Sequence, residues 1–427
     1  MYMNKRVLLV AALFLLQITG AYAQFEKYFL DKTLRMDYIH AGDSKHSEIY
    51  FQELLEEPYW GGSKVNLVDT MFYGNYYLNV YDLASNELIY SRGYTTLFWE
   101  WQATAEADHS NFAACESVVM PYPRNDVRIE ICGRDAKGNF EKRFEKVLDV
   151  DSYFIKKDRR MVYPTYDVHY TGNPARKIDI VLLPEGYTAE EMDKFKADCQ
   201  QFAETLFSYS PFKENKQKFN IRAVMAPSQE SGSDIPGENM WRNTILNSSF
   251  YTFDSERYIM TFDFKSARDL ASNVPYDFIY ILANSQKYGG GAIYNHYGIS
   301  ITGNASSSKV YVHEFGHLFL GLADEYVGTT SYNDMYDQSI EPWEENITTL
   351  VDFDRKWKDM LDEKTPIPTP VDKKHPDRLG VYEGGGYASK GIYRPLPDCM
   401  MNSIWVTDKF CPVCTRAILK QIDFYTK

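Results

Sequence analysis

The sequence predicts an antiparallel β-sandwich followed by an α/β domain built on a mixed sheet. Three observations predict it. From Gln24 to about Tyr163 the chain is dominated by short alternating runs rich in β-branched and aromatic residues, the pattern of half-buried strands. From Lys177 onward, apolar strand-like runs alternate with longer helical stretches, as in an α/β layer. Between them, residues 164–176 hold Gly172-Asn-Pro174 among other turn formers and no sustained period, which places a linker there. A chain of 427 residues with 44% hydrophobic content is also long enough to be expected to divide in two.

The first residues read as a signal peptide over 1–23. Lys5 and Arg6 form a basic start, Val7 to Leu16 an apolar run too short to span a bilayer, and Ala21-Tyr-Ala23 a small-x-small cleavage site. Cleavage after Ala23 leaves Gln24 as the new N-terminus and no Cys to accept a lipid, so the expectation is an exported protein, periplasmic or extracellular. The sandwich is then read over 24–163. Phe72 to Tyr81, Leu88-Ile-Tyr90 and Val127 to Cys132 are its clearest strands, with Asp135-Ala-Lys-Gly138-Asn as a hairpin turn. Cys115 and Cys132 either bridge it in an oxidising compartment or remain two reduced thiols. Phe98, Trp99 and Trp101 suggest a carbohydrate-binding cluster, but core and interface packing accounts for them more simply.

Residues 177–427 form the second domain. Ile178-Asp-Ile-Val-Leu-Leu183 is a strand of the buried type, and Thr188-Ala-Glu-Glu191 is a capping box that starts a helix running to about Tyr209. Phe219 to Met225 and Tyr276 to Leu282 are further strands. Gly289-Gly-Gly291-Ala-Ile-Tyr294 reads equally as a loop or as an edge strand on which an extended peptide can pair, since glycines permit close backbone approach.

The most informative segment is His313-Glu314-Phe315-Gly316-His317. Residues four apart share one face of a helix, so both imidazoles can reach a single Zn²⁺, while Glu314 is placed to act on water rather than to bind metal. With only 8 His in the chain, an accidental pair at this spacing is uncommon. The apolar flanks Val310-Tyr-Val312 and Leu318-Phe-Leu320 fit a buried helix that presents its polar residues inward. A catalytic zinc usually takes three protein ligands and leaves a fourth position for water. Gly321 is suited to the left-handed turn that ends such a helix, and Asp324 follows three residues later as the third ligand, with Glu325 as the alternative.

These residues, with Gly289-Gly290-Gly291, Tyr393-Arg394-Pro395, Cys399-Met-Met-Asn402 and Phe410-Cys-Pro-Val-Cys414, resemble the M64, or IgA-peptidase, family of bacterial zinc metallopeptidases. The resemblance begins near Lys177, and the preceding chain resembles the family's N-terminal accessory domain. It implies a metzincin-like catalytic domain and a secreted zinc endopeptidase, without implying that immunoglobulin A is its substrate. Metzincins place a glycine and then their third ligand with the same three-residue step, although their glycine lies three residues after the second His rather than four, and their third ligand here is replaced by an acid. By the same resemblance Met401, with Met400 as competitor, is the methionine of a turn beneath the metal. Cys411-x-x-Cys414 suggests a redox or structural zinc pair, but in an exported chain a disulfide from Cys399 to one of the two is the expectation.

The proposed chemistry has Zn²⁺ held by His313, His317 and Asp324, Glu314 as general base, and a tyrosine from the region Tyr387 to Tyr393 assisting at the transition state. The substrate is then a protein or peptide, a host glycoprotein among the candidates. The net charge of −13 is two units more negative once Lys5 and Arg6 leave, and it disfavours nucleic acid and anionic membrane as partners. The alternative is an exported binding protein for a host protein or glycan, carrying a silent zinc site.

Overall fold

The computed structural model describes residues 24–328 and 335–427; the signal segment read over 1–23 lies outside the described residues. Among the described residues no helix is long and apolar enough to cross a membrane. The chain is a mixed α/β protein with a β-rich N-terminal part.

That N-terminal part comprises β1 (Phe29–Gly42), β2 (Ser47–Glu57), β3 (Tyr76–Asp82), β4 (Leu88–Tyr94), β5 (Phe112–Pro123), β6 (Val127–Arg134), β7 (Phe140–Leu148) and β8 (Ile155–Lys156). They make two four-stranded sheets, ordered β5-β1-β2-β8 and β4-β3-β6-β7, antiparallel except for the β2–β8 pair. Successive side chains on a strand point to opposite faces, so every second residue is free to turn inward. Leu34, Met36 and Tyr38 of β1 and Val118 and Met120 of β5 therefore meet Leu78 and Val80 of β3 and Ile129 and Ile131 of β6 in one shared core. The expected hairpin turn joins β6 to β7: the Asp135 carboxylate accepts from the amides of Lys137 and Asn139, both at 2.8 Å, and Gly138 takes φ +80°.

Cys115 and Cys132 are both free thiols, so of the two outcomes open to them the bridge is not formed. They lie on different sheets, with Cys115 donating to Gln52 and Cys132 accepting from Asn79. Phe98 and Trp101, on the short helix Leu97–Gln102, are buried and pack with Phe112, whereas Trp99 is half-buried.

A six-stranded sheet carries the rest. It is formed by β9 (Thr165–His169), β10 (Ile178–Glu185), β11 (Phe219–Val224), β12 (Phe278–Ala283), β13 (Gly290–Ile293) and β14 (Tyr297–Ile301), in the order β13-β14-β12-β10-β11-β9. The four inner strands are parallel and both edge strands antiparallel to their neighbours. β9 falls within the stretch read as a linker. Parallel strands need cover on both faces, which is why β10 is a nearly continuous apolar run. Ile178, Ile180 and Leu182 face the helices Met192–Leu206, Ser307–Leu320 and Pro412–Thr426, and Val181 and Leu183 face the helix Phe264–Ala271. The helix Met192–Leu206 is preceded by the Thr188/Glu191 capping box, both of whose bonds are made. A hairpin of β15 (Tyr382–Gly385) and β16 (Ala388–Arg394) completes the strands.

A buried ion network fastens the two parts together. Arg35 of β1 reaches Asp37 at 2.6 and 2.8 Å and Asp269 of the helix Phe264–Ala271 at 2.6 Å, and the Tyr276 hydroxyl donates to Glu57 at 3.2 Å. A guanidinium that is 1% exposed is tolerable only with its donors so occupied.

Candidate metal centre

The helix Ser307–Leu320 lies against β14 and β13 and the helix Met192–Leu206, burying Val310, Tyr311, Val312, Phe315, Leu318 and Phe319. One face must then carry His313 and His317, whose side chains are 14% and 15% exposed. Gly321 ends the helix at φ +65°, its amide donating to the His317 carbonyl at 2.8 Å. A Cβ at this position would run into the Trp343 ring, a second reason for glycine beside the left-handed backbone. The chain turns back under the helix, and Asp324 arrives beside both imidazoles.

The geometry is that of three corners of a tetrahedron. His313 Nε2 and His317 Nε2 are 3.1 Å apart, and Asp324 Oδ1 stands 3.2 Å from the first and 3.4 Å from the second. Zinc bonds of about 2.0–2.1 Å set tetrahedral corners roughly 3.3 Å apart. Carbonyl oxygens fix the tautomers, because they can only accept: His313 Nδ1 donates to Met400 at 3.0 Å and His317 Nδ1 to Leu322. With each Nδ1 so committed, Nε2 is the atom each imidazole turns towards the buried Asp324 Oδ1, and in the metal-free protein a proton on His317 Nε2 lies between them. Three converging lone pairs repel one another unless a cation, or a proton, lies between them. The residues present therefore fit a zinc ion.

Charge within the site follows from this crowding. Burial alone would lower His317, but the Asp324 carboxylate outweighs it and lifts the imidazole to about 9. Burial would raise Asp324, yet His317 and His313 hold it well below the usual carboxylate range. Glu314 is pushed up from the usual range by burial, with the two imidazoles opposing and Asp324 adding to the rise. Its carboxylate lies against β13, where a Cβ added to Gly290 would stand 3.0 Å from Oε1.

Several further residues support the ligands. The Tyr387 hydroxyl, from the region expected to assist the reaction, donates to Asp324 Oδ2 at 2.6 Å and lines the cleft; Tyr393 does not line it. Asn346 grips the backbone of Ala323 on both its amide and carbonyl, each at 2.8 Å, and also donates to Glu325 at 2.9 Å. No local pattern marks Asn346, which is remote from the motif in the chain. Met401 lies beneath the helix, where a Cβ on Gly316 would come within 2.8 Å of its sulfur, and its carbonyl accepts the Glu325 amide at 2.8 Å. Met400 contributes the carbonyl that holds His313.

Glu325, the alternative third ligand, is 0% exposed and turns away from the imidazoles towards Cys414, whose thiol lies 3.4 Å from Oε1. The disulfide expected from Cys399 is not formed. All three C-terminal cysteines are free, and the Cys399 and Cys414 sulfurs are 3.8 Å apart.

The imidazoles, Glu314 and Asp324 open on a cleft of about 750 Å³. Gly290, Gly291 and Ala292 of β13 line it on one side, and Trp99 and Glu100 bring the N-terminal part to its wall. Within Gly289–Tyr294 the residues Gly290–Ile293 thus form an edge strand, although the Arg257 carbonyl already accepts the Gly290 amide at 3.3 Å.

Residues 167–378 and 371–422 match the family described as IgA Peptidase M64, and residues 24–145 match the one described as Peptidase M64 N-terminus. Among curated proteins, none matches the chain. With the matched segments covering most of its length in the expected order, the chain belongs to the IgA peptidase M64 family of metallopeptidases, whose substrates are proteins or peptides.

Proposed function

We propose that this chain is an exported, zinc-dependent endopeptidase with a metzincin-like catalytic domain over 177–427. In this reading a signal peptide over 1–23, an antiparallel β-sandwich over 24–163 and a linker over 164–176 precede it. The observation that carries the proposal is the convergence of His313 Nε2, His317 Nε2 and Asp324 Oδ1 at 3.1–3.4 Å.

Bound by these three groups, a zinc ion would supply Lewis acidity to a water and to the scissile carbonyl. Glu314 is the general base. It adjoins the metal ligands, is half-buried, and has a proton affinity above that of an ordinary carboxylate, which suits it to take a proton from the attacking water and return it to the leaving amine. Met400, Leu322 and Tyr387 keep the ligands oriented while charge develops. The edge strand β13 offers backbone groups to an extended peptide across from Glu314, and Gly290 lies directly beside the Glu314 carboxylate.

The test is a peptide library with and without chelator, run on the wild type and on Glu314→Ala. Internal cuts are expected from the wild type, abolished by chelator and restored by zinc. Glu314→Ala is expected to keep its zinc and cleave nothing. Trimming only from chain ends, or undiminished cleavage by Glu314→Ala, would overturn the reading.

A further inference from the structure

Behind the imidazole site lies a second group of ligand atoms, contributed by Glu325, Cys399, Cys411 and Cys414. One potential ligand atom from each lies within 4.8 Å of the others, and none of the four residues is more than 2% exposed. We propose that this cluster binds a second zinc ion, structural in role, through three thiolates and one carboxylate.

The sulfurs are not bonded to one another, and their spacing is that of ligands around one metal. A disulfide needs its sulfurs at about 2.05 Å, and Cys399 and Cys414 hold theirs 3.8 Å apart. Zinc–sulfur bonds of about 2.3 Å place the corners of a tetrahedron roughly 3.8 Å apart. The sulfurs also receive the amide hydrogens that thiolates require. Cys411 N–H donates to the Cys399 sulfur at 3.2 Å and Cys414 N–H to the Cys411 sulfur at 3.3 Å. Cys411 caps the 15-residue helix Pro412–Thr426, whose N-terminal dipole favours negative charge.

Glu325 is the second, independent sign. Oε1 accepts from Asn346 at 2.9 Å, while Oε2 is buried with no hydrogen-bond partner. A sealed carboxylate with one bare oxygen beside three sulfurs is costly alone and well placed against a dication. No cysteine of the group lines the cleft, and four protein ligands leave no position for substrate, the arrangement of a structural site. On binding, three thiol protons leave for solvent and no redox partner is needed.

The position suggests what such an ion does. Glu325 follows Asp324 directly, and Cys399 precedes Met400, whose carbonyl orients His313. An ion at this site would tie the third ligand, the methionine turn and the C-terminal helix to one point.

The experiment uses the full chain and the double variant His313→Ala/His317→Ala, with zinc counted by elemental analysis. Cobalt is then exchanged in, so that thiolate ligation reports itself as a charge-transfer band in the near ultraviolet, which imidazole and carboxylate ligands do not give. The double variant is expected to keep one zinc per chain and to show the band; Cys411→Ser is expected to lose both that zinc and the band. A metal-free double variant, or a disulfide at Cys399 found by mass spectrometry, would overturn the proposal, and neither result depends on whether Cys411→Ser folds. Because the readout is metal content and not hydrolysis, a failure here is distinct from a failure of the peptidase reading.

Discussion

Residues 324 and 325 are neighbours in the chain, yet they serve two clusters of opposite character. Asp324 joins two imidazoles at the floor of a cleft, three ligand groups with a side left open to solvent and substrate. Glu325 joins three thiols in the interior, four groups with no opening to the cleft. The difference teaches how one short turn can separate chemistry from architecture. The open set leaves a corner for a reacting molecule, while the closed set uses every corner to hold protein together. The Met400–Met401 turn belongs to both, since the Met400 carbonyl orients His313 and Cys399 stands one residue before it.

The sharpest way to break the comparison is Glu314→Gln. It should lower peptide hydrolysis by about 10²–10⁴-fold or more with zinc content unchanged, checked by kcat/KM alongside elemental analysis; an equal loss of metal would mean that Glu314 is structural. Asp324→Ala should weaken zinc at the open site by more than the roughly 100-fold typical of losing a supporting contact, measured by competition with a chelating dye. The thiolate-to-cobalt band should survive that substitution. Tyr387→Phe removes only the 2.6 Å bond to Asp324 Oδ2 and should cost about 10–100-fold in zinc affinity or activity.

Proton linkage sharpens the comparison further. In the metal-free protein His317 is lifted to about 9, so below that pH it carries a proton that zinc must displace. Zinc affinity at the open site should therefore rise about tenfold per pH unit towards 9 and then level, with proton release visible by calorimetry in buffers of different ionisation enthalpy. A flat profile between pH 6 and 8, roughly, would contradict it. The smallest effect expected is that of Gly316→Ala, whose Cβ would press on the Met401 sulfur; about 1–3 kcal/mol of lost stability should appear as a lower Tm with the zinc still bound.

What could be read along the chain was whatever depends on near neighbours. The spacing of His313 and His317 on one helical face, the stop at Gly321, the capping box at Thr188 and the apolar run of β10 are all local patterns, and each is present in the fold. The β-rich start and the α/β remainder were legible for the same reason, because periods of 2 and 3.6 are written in consecutive residues. β9 was not: its residues are flanked by turn formers, and it becomes a strand by pairing with β11 at the sheet edge.

Thus the sequence by itself determined the local pattern, two imidazoles at helical spacing and the glycine that turns the chain after them. Only the tertiary structure decided which neighbour of the Asp324-Glu325 pair faces the imidazoles, that Tyr387 and Asn346 hold that turn, and that the C-terminal cysteines surround Glu325 without pairing. Those outcomes rest on contacts between residues from about twenty to almost ninety positions apart, as between Glu325 and Cys414. Linear spacing carries no record of such contacts, since they arise from how sheets, helices and loops pack once the local elements have formed.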